Sequence, residues 1–348
     1  MRSNRLLGLL IGLIVMLFSV PSGKAQDERV QVIGVFRTQW SDIQGAQGSD
    51  GFSVRLAFLG VRVQADAQTT VTVLTDLAAG EGGRASELID AYVTWRPNAD
   101  TTVFVGQMLT PLFYDVRRSI VILDTLERGN TTRTFFGGAY MRGGYVAYRL
   151  NSQNTLEAGV WNSLAYRDPQ LDAWGGQAAA AGTLSWRYNR ANTQLTLGGL
   201  VGRRPRLQAR DANNNPLVVP DSDRRIFYAE LEQGIPRTPL KLRVSYIWGR
   251  DRNPAGGATP RFLTASDLQT VFVYAIYEPN PRNQLVLALE DFDPDTRRGG
   301  DRLQTLSLTY HYFVQERIRL SARYEWVAEE RGVRVANDRA ILAAQYRF

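Results

Sequence analysis

The chain ends in the stretch Arg339-Ala-Ile-Leu-Ala-Ala-Gln-Tyr-Arg-Phe348, in which the character of the side chains alternates from residue to residue. One face collects Ala340, Leu342, Ala344, Tyr346 and Phe348, and the other collects Arg339, Ile341, Ala343, Gln345 and Arg347. This alternation indicates an extended strand with one apolar and one mostly polar face. A soluble protein rarely leaves such a strand as an open edge, whereas the last strand of a membrane β-barrel pairs with the first. The segment therefore predicts the closing strand of a transmembrane β-barrel.

Both ends of the chain carry features of an exported protein. The aromatic-x-Phe ending resembles the signal by which the barrel-assembly machinery of Gram-negative bacteria receives outer-membrane proteins. At the other end, basic Arg2 and Arg5 precede an apolar run over residues 6–20, and small residues follow up to Ala25. The run is shorter than the ~20 residues of a spanning helix, which favours a cleavable signal over a retained anchor. We expect residues 1–25 to be the signal peptide and residues 26–348 to form the barrel in the outer membrane, in contact with lipid.

Segments of period-two alternation between turn signals predict sixteen antiparallel strands and an all-β fold. The first eight span roughly residues 30–40, 52–65, 69–79, 86–96, 101–109, 140–150, 154–162 and 178–188. The second eight span roughly residues 193–203, 224–234, 240–250, 267–278, 283–293, 301–312, 316–328 and 336–348. A closed up-and-down bacterial barrel requires an even number of strands. The sequence therefore predicts a 16-stranded antiparallel transmembrane β-barrel.

The predicted connections alternate between tight and long along the whole chain. The tight turns, rich in Asn, Asp and Pro, lie at 66–68, 97–100, 151–153, 189–192, 235–239, 279–282 and 313–315. The longer, polar connections span 41–51, 79–85, 110–139, 163–177, 204–223, 251–266, 294–300 and 329–335. Tight turns on one rim and long loops on the other are typical of outer-membrane barrels. A soluble β-sandwich does not sort its connections in this way.

The strand faces separate into a lipid side and a lumen side. In segments 240–250, 316–328 and 178–188, aromatic and aliphatic residues occupy one face and polar residues the other. The polar faces are predicted to line the interior, and the aromatics near strand ends to lie at the lipid headgroups. Segment 267–278 is apolar on both faces, which a contact within a homotrimer or cover by a loop would explain. In segment 52–65 the alternation slips near Leu59 and Gly60, which predicts a bulge there.

Sixteen strands enclose an aqueous channel unless something plugs it. The longest connection, residues 110–139, is the third long loop, and in sixteen-stranded porins this loop typically folds inward and narrows the pore. Its large apolar residues, Phe113, Leu123 and Phe135 among them, would pack on the inner wall, whereas a solvated surface loop would not need them. We therefore expect an inward-folded third loop. The charged residues expected at the constriction are Asp115, Arg117, Arg118, Asp124, Glu127, Arg128 and Arg133.

Closure of the barrel would bring the first two and last two strands together and create a basic wall. The arginines predicted on this wall are Arg37, Arg55, Arg62, Arg319, Arg323 and Arg347. If they line the pore opposite Asp115, Asp124 and Glu127, they create a transverse field that admits polar solutes and weakly favours anions. Alternatively, they form paired ladders that only hold the wall and the loop in place. Glu230, Glu232 and Glu290 on other inner faces reduce the expected preference for anions.

Three short motifs follow one another in the first half of the chain: Phe52-Ser-Val-Arg-Leu-Ala57, Gly106-Gln-Met-Leu-Thr-Pro111 and Leu126-Glu-Arg128. They resemble the phosphate-selective porin O and P family, most clearly over residues 30–150. The resemblance implies an outer-membrane porin that gives passive diffusion of small hydrophilic solutes and ions. Phosphate channels of the family rely on clustered lysines, whereas residues 26–348 contain one lysine, Lys241. We therefore expect a weak preference for anions, with phosphate among them.

A barrel enzyme is the main alternative, and a non-conducting surface receptor or adhesin is another. A Ser-His-Asp site needs a histidine, and the single histidine of the sequence, His311, is predicted on an inner face, where a structural role is expected. A receptor would need longer, aromatic-rich outer loops. No catalytic residue is therefore assigned.

The sequence also gives little reason to expect a cofactor, a metal or a nucleic acid. The chain has no cysteine, so neither disulfides nor thiolate metal sites can form. Asp291-Phe-Asp-Pro-Asp295 resembles an oxygen-ligand loop for calcium, although a solvated strand end is the expected role. The arginines alternate with acidic residues, which does not indicate nucleic-acid binding.

Overall fold

The computed structural model describes residues 29–45, 50–78, 87–136, 139–165, 179–204, 207–210, 216–219, 221–252, 265–330 and 337–348. Among these residues, no helix is long and apolar enough to cross a membrane. The predicted signal peptide, residues 1–25, lies outside the described residues and stays a prediction.

Eighteen strands and two short helices make up the described fold. The first nine strands are β1 (Val30–Ile43), β2 (Gly51–Gln64), β3 (Thr69–Asp76), β4 (Glu87–Trp95), β5 (Thr101–Leu109), β6 (Tyr140–Arg149), β7 (Asn154–Ala165), β8 (Ala180–Arg190) and β9 (Thr193–Arg204). The others are β10 (Leu207–Arg210), β11 (Pro216–Val219), β12 (Ser222–Gly234), β13 (Leu240–Asp251), β14 (Ser266–Asn280), β15 (Asn283–Asp293), β16 (Leu303–Gln315), β17 (Ile318–Glu329) and β18 (Arg339–Arg347). The helices, α1 (Tyr114–Arg117) and α2 (Asn130–Phe135), lie between β5 and β6.

Sixteen of the strands form one closed antiparallel barrel, as predicted, and β10 and β11 pair separately. The barrel closes where β18 pairs with β1, from Val35 opposite Arg347 to Ile43 opposite Arg339. Phe348 extends this pairing, because its backbone exchanges hydrogen bonds of 3.1 and 3.0 Å with Gly34. The small hairpin β10–β11 was not predicted; it lies within the long connection after β9.

Side chains that hydrogen-bond to the backbone fix several of the tight turns. Asp66 accepts from the backbone N–H groups of Gln68 and Thr69 at 2.7 and 2.9 Å. Asn98 and Asn151 accept from the same relative positions in their own turns. These side chains replace the backbone hydrogen bonds that a turn leaves open, which explains why Asn and Asp recur at this rim.

The two faces of each strand separate as the alternation predicts. On β13, Val244, Tyr246 and Trp248 are exposed on the outer surface, whereas Arg243 and Ser245 are buried in the interior. Tyr324 and Trp326 on β17 repeat the outer arrangement. A continuous outer apolar surface with aromatic rings is what lipid contact requires.

The predicted bulge of the second strand exists, but it lies at a different residue. Arg37 pairs with Leu56 and Thr38 pairs with Val54, so Arg55 is the extra residue. Two successive side chains, Arg55 and Leu56, can therefore both point inward. The predicted position near Leu59 and Gly60 was wrong, because the alternation there continues without interruption.

Candidate functional site

Residues 110–139 are called loop three below, and the part of it that the structure describes, residues 110–136 and 139, lies inside the barrel. At its neck, the backbone N–H and the hydroxyl of Thr110 donate to the carbonyl of Ala139 at 3.1 and 3.2 Å. Farther along, Gln345 of β18 donates to the carbonyl of Val121 at 3.1 Å, and the backbone N–H of Tyr114 donates to Glu230 of β12 at 2.9 Å. Because these partners come from opposite parts of the barrel, the loop spans its interior.

Apolar packing holds loop three against one side of the wall. Phe113, Phe135 and Phe136 belong to the same buried cluster as Phe272 and Tyr274 of β14. The rings of Phe113 and Phe136 meet edge to face, with centroids 5.4 Å apart. The inner face of β14 is therefore apolar because the loop covers it. Of the two explanations for its sequence, cover by a loop is the one that the structure supports.

Glu127 is the loop residue that meets the predicted basic wall. Its carboxylate accepts from Arg37 at 2.9 Å and from two nitrogens of Arg55 at 3.0 and 2.9 Å. Burial raises the pKa of Glu127, but Arg55 and Arg37 more than offset this effect and lower the pKa to about 2. The carboxylate is thus charged at every physiological pH and ties the loop to β1 and β2.

The six arginines of the predicted wall divide into two groups. Arg37, Arg319 and Arg323 are buried beneath loop three. Arg319 donates to the carbonyl of Leu123 at 3.4 Å, and Arg323 donates to the carbonyl of Glu127 at 3.4 Å. These three side chains hold the loop, as the second interpretation of the wall proposed.

The second group keeps contact with the aqueous interior or its rim. Arg62 is exposed, Arg55 is about a third exposed, and Arg347 donates to the carbonyl of Glu316 at 2.6 Å in the tight turn before β17. Among the predicted wall residues, Arg55, Arg62 and Arg347 are therefore the ones whose side chains remain accessible.

The other two carboxylates of the predicted transverse field do not face this wall. Asp124 pairs with Arg243 of β13 at 3.1 Å and accepts from the hydroxyl of Tyr114 at 2.6 Å. The guanidinium carbon of Arg243 also lies 3.4 Å from the ring centroid of Tyr114. Asp115 accepts from the backbone N–H of Gly129 at 3.1 Å and so braces the loop itself.

The four arginines predicted in loop three have separate environments. Arg117 pairs with Glu157 of β7 at 2.7 Å. Arg118 lies 5.5 Å from the ring of Tyr114, and Arg128 is buried, donating to the carbonyls of Asp115 and Arg118. Arg133 is exposed and donates to Asn130 at 2.8 Å. Only Arg117 among them joins the loop to the wall through an ion pair among the described residues.

Sequence reasoning missed the groups that anchor the second half of loop three. Arg204 and Arg224 both pair with Asp251, at 2.6 and 2.9 Å, and both donate to the carbonyl of Phe135 at 2.9 Å. All three charged side chains are fully buried. Glu290 accepts from the backbone N–H of Asn130 and of Thr131 at the start of α2. In the sequence, these anchors could have been found from the opposite charges at the loop-side ends of β9, β12 and β13.

His311 is part of the same anchoring system. Its Nδ1 lies 2.7 Å from the hydroxyl of Ser321, and its Nε2 lies 2.8 Å from the backbone carbonyl of Asp124. The imidazole is fully buried, and the carboxylate of Asp124 is turned to Arg243 instead. A hydrolytic site needs an accessible nucleophile and a carboxylate on the imidazole, and this arrangement provides neither.

Two of the three aspartates that resembled a calcium loop are held by arginines. Asp291 pairs with Arg302, and Asp295 pairs with Arg297 and Arg298 at 3.2 and 3.1 Å. Within the described residues, no group of three or more acidic or histidine side chains is placed to hold a metal ion.

The part of the interior that stays accessible lies along the inner faces of β2 to β8. Arg62, Tyr92, Phe104 and Tyr145 remain partly or fully exposed there, as does Arg187 of β8. Across the barrel, loop three buries the inner faces of β14 to β18 over most of their length. The exposed side chains named here therefore lie on the β2–β8 wall, away from the strands that loop three covers.

Comparisons with solved structures find the same architecture in outer-membrane proteins. The trimer form of OmpT of Vibrio cholerae matches with a TM-score of 0.66 and 13% identity, over 92% of this chain and 99% of that one. The channel DcaP of Acinetobacter baumannii matches with 0.65 and 15%, over 94% and 99%. An anion-selective porin from Comamonas acidovorans matches with 0.63 and 12%, over 92% and 99%. At these identities the likeness concerns the fold alone.

A comparison with curated proteins found no match. The sequence profile of the phosphate-selective porin O and P family matches residues 34–218, which is more than half of the chain. This range contains the three motifs, the bulged second strand and the whole of loop three. The chain therefore belongs to the phosphate-selective porin O and P family, and it is an outer-membrane porin of the Gram-negative type.

Proposed function

We propose that this porin gives passive diffusion of small hydrophilic solutes and ions with a weak preference for anions. The observation that carries the proposal is the uneven exposure of the ion pairs along the accessible wall. In each pair the arginine reaches the water, while its carboxylate lies buried behind it.

Two clusters show this arrangement. The side chain of Arg55 is 36% exposed, against 5% for its partner Glu127. The side chains of Arg187 and Arg117 are 34% and 16% exposed, against 4% for their shared partner Glu157. Each cluster has two arginines for one buried carboxylate, because Arg37 also pairs with Glu127, and the exposed positive groups lie nearer the permeating ion than the carboxylates do. A small excess of anions in the channel follows, which supports weak rather than strict selectivity.

The proposed anion preference includes phosphate but is not specific for it. A guanidinium can bind phosphate through two parallel hydrogen bonds, so Arg55 and Arg187 suit it as well as other oxyanions. The lysine of residues 26–348, Lys241, lies near the tight-turn rim and pairs with Glu278 at 2.8 Å. Lys241 therefore lies away from the middle of the channel, and its charge is paired. It does not form a lysine cluster of the kind that phosphate channels use, which supports a general anion channel.

Reversal potentials in planar bilayers with a potassium chloride gradient test the proposal. The wild-type protein should show discrete conductance steps and a reversal potential on the anion-selective side. The double variant Arg55→Gln, Arg187→Gln should shift the reversal potential toward cation preference, because it removes the two exposed positive charges. Glu127 and Glu157 each keep one arginine partner, Arg37 and Arg117, so both carboxylates stay paired. The matched control is Arg225→Gln on the outer surface, which should leave the reversal potential unchanged. Absence of conductance steps, or cation preference in the wild type, would falsify the proposal.

The same proposal includes assembly as a homotrimer. Support comes from the trimer form of Vibrio cholerae OmpT, whose barrel this chain resembles over nearly its full length. Electrophoresis in detergent should show a band near three times the monomer mass before boiling and a monomer band afterwards. A single monomer band by both electrophoresis and cross-linking in intact membranes would contradict the trimer.

A further inference from the structure

A row of aromatic side chains crosses the inner face of three neighbouring strands on the accessible wall. Tyr92 of β4, Phe104 of β5 and Tyr145 of β6 form the row, and Trp161 of β7 supports its end. Phe104 and Tyr145 stack with centroids 4.4 Å apart and planes 6° apart. Tyr92 lies 6.4 Å from Phe104, and Trp161 lies 5.8 Å from Tyr145. The rings thus form a continuous aromatic surface.

This row differs from the other aromatic groups of the interior in its exposure. Phe272 and Tyr274 on β14 are each only 3% exposed, because loop three covers them. Tyr92, Phe104 and Tyr145 pack against the same cluster from its edge and remain partly exposed. Aromatic rings that remain in contact with the water of a channel can form aromatic contacts with a passing solute.

Arginines lie at both ends of the row. At one end, Arg62 pairs in register with Thr72, which pairs with Tyr92, so the guanidinium is at the level of the first ring. At the other end, Arg187 and Arg117 lie close enough to Tyr145 to act on it electrostatically. The row therefore runs between two positive groups.

Acidic groups are also present, and their positions matter for the charge of the row. Glu157 pairs with Arg187 at 2.6 Å and with Arg117 at 2.7 Å, and it is buried behind both. Asp90 of β4 lies at the Arg62 end. The end at Arg187 thus has two guanidiniums for one buried carboxylate, which makes it the more positive end.

We propose that the aromatic row and Arg187 form a low-affinity binding track for planar aromatic carboxylates. Phe104 and Tyr145 stack face to face on each other, so they present their ring edges to the channel. The face of a solute ring would lie across these edges, while its carboxylate would pair with the exposed part of the Arg187 guanidinium. An edge-to-face contact needs the π-face of an aromatic ring, so it favours a flat aromatic ring over a puckered one of equal charge and similar size. The inference rests on the proposed anion channel and adds a solute class to it.

The test is block of single-channel current by three probes added at neutral pH to the purified full-length protein. Benzoate is flat and negative, cyclohexanecarboxylate is puckered and negative, and benzyl alcohol is flat and neutral. Benzoate should reduce the ion current at concentrations about two- to tenfold lower than either of the other two, the range that an aromatic edge-to-face contact provides. Equal block by benzoate and cyclohexanecarboxylate, in a channel that still prefers anions, overturns the track alone. Absence of ion conductance overturns the proposed function as well.

Variants separate the row from general pore effects. Phe104→Leu and Arg187→Gln should each weaken block by benzoate toward that of cyclohexanecarboxylate. Tyr324→Leu removes an aromatic ring from the lipid face and should leave block unchanged. Heat-modifiable mobility on gels shows which variants fold. If Phe104→Leu does not fold, Tyr92→Leu serves as the second variant of the row. Unchanged benzoate block in the folded row variants contradicts the proposal.

Discussion

Glu127 contributes to the site through its position between two arginines on adjacent strands. Arg37 is fully buried, so its charge depends on a carboxylate at 2.9 Å for compensation. Arg55 approaches the same carboxylate from the water side through two hydrogen bonds. One side chain thus stabilises a buried cation and also keeps a second cation oriented toward the channel.

Replacement of Glu127 by Gln should destabilise the protein by about 3–5 kcal/mol, because Arg37 then remains buried without a counter-charge. The midpoint of thermal unfolding, followed by circular dichroism in detergent, should fall accordingly. Glu316→Gln, in an exposed tight turn, is the matched control and should leave the midpoint unchanged. An unaltered midpoint in Glu127→Gln would show that the ion pairs contribute little.

The pH dependence of the same residue has a defined sign. Because the pKa of Glu127 falls from 4.5 to about 2 in the folded protein, its stabilising contribution is complete above pH ~5. This contribution declines as the pH falls from about 5 toward 2. Thermal midpoints measured between pH 7 and pH 3 should therefore converge for wild type and Glu127→Gln at the acidic end.

Parity along single strands predicted which arginines face inward, but it did not predict their partners. Arg37, Arg319 and Arg323 all lie on the inner face, as expected. Asp124 was predicted opposite them, yet it pairs with Arg243 of β13, a strand that is not a neighbour of β1 or β17 in the barrel. A partner inside a barrel depends on the path of loop three, and no short-range pattern encodes that path.

Loop three behaves as an element held at several separate points. Glu127 fixes it to β1 and β2, Arg117 fixes it to β7, and Asp251 with two arginines fixes the end of α2. Glu290 accepts the first two free N–H groups of α2 at 2.8 and 2.9 Å. Such an element should open one anchor at a time and stay attached at the others.

Replacement of Asp251 by Asn should release the α2 end of the loop, because two fully buried guanidiniums lose their shared carboxylate. Thr132→Cys is a suitable reporter, since Thr132 is buried, its hydroxyl has no hydrogen-bond partner, and the chain has no other cysteine. Labelling of this cysteine by a small thiol reagent should accelerate about tenfold or more in the Asp251→Asn background. Asp223→Asn, in an exposed pair nearby, should leave the rate unchanged. Equal labelling rates in all three backgrounds would show that Asp251 does not hold the loop.

The elements themselves were predictable to different degrees, for physical reasons. Strands of about eight residues or more show a clear period of two, and all sixteen barrel strands were found on that basis. The helices α1 and α2 have four and six residues, too few to display a 3.6-residue period. Similarly, β10 and β11 have four residues each and pair only with each other. The two apolar faces of β14 became interpretable only with loop three in place.

At the scale of the whole molecule, closure depends on a contact between the two ends of the barrel. The ring of Phe348 lies against Gly34 of β1 and stacks on Tyr346, with centroids 5.9 Å apart. A Cβ atom at Gly34 would lie 2.3 Å from Cζ of Phe348 and 2.8 Å from the backbone oxygen of Phe58. The absent side chain at Gly34 is therefore what allows the terminal ring to lie across the seam.

Gly34→Ala should accordingly weaken closure, since the ring can move aside but the backbone oxygen of β2 cannot. Overpacking of this kind costs about 1–3 kcal/mol, so the folded gel band should convert to the unfolded band at a lower temperature. Gly299→Ala is the matched control, because a Cβ atom there meets no atom within 4 Å. If both variants convert at the wild-type temperature, the contact does not limit closure. If only Gly34→Ala is affected, the terminal phenylalanine stabilises the finished barrel in addition to any part in its delivery to the membrane.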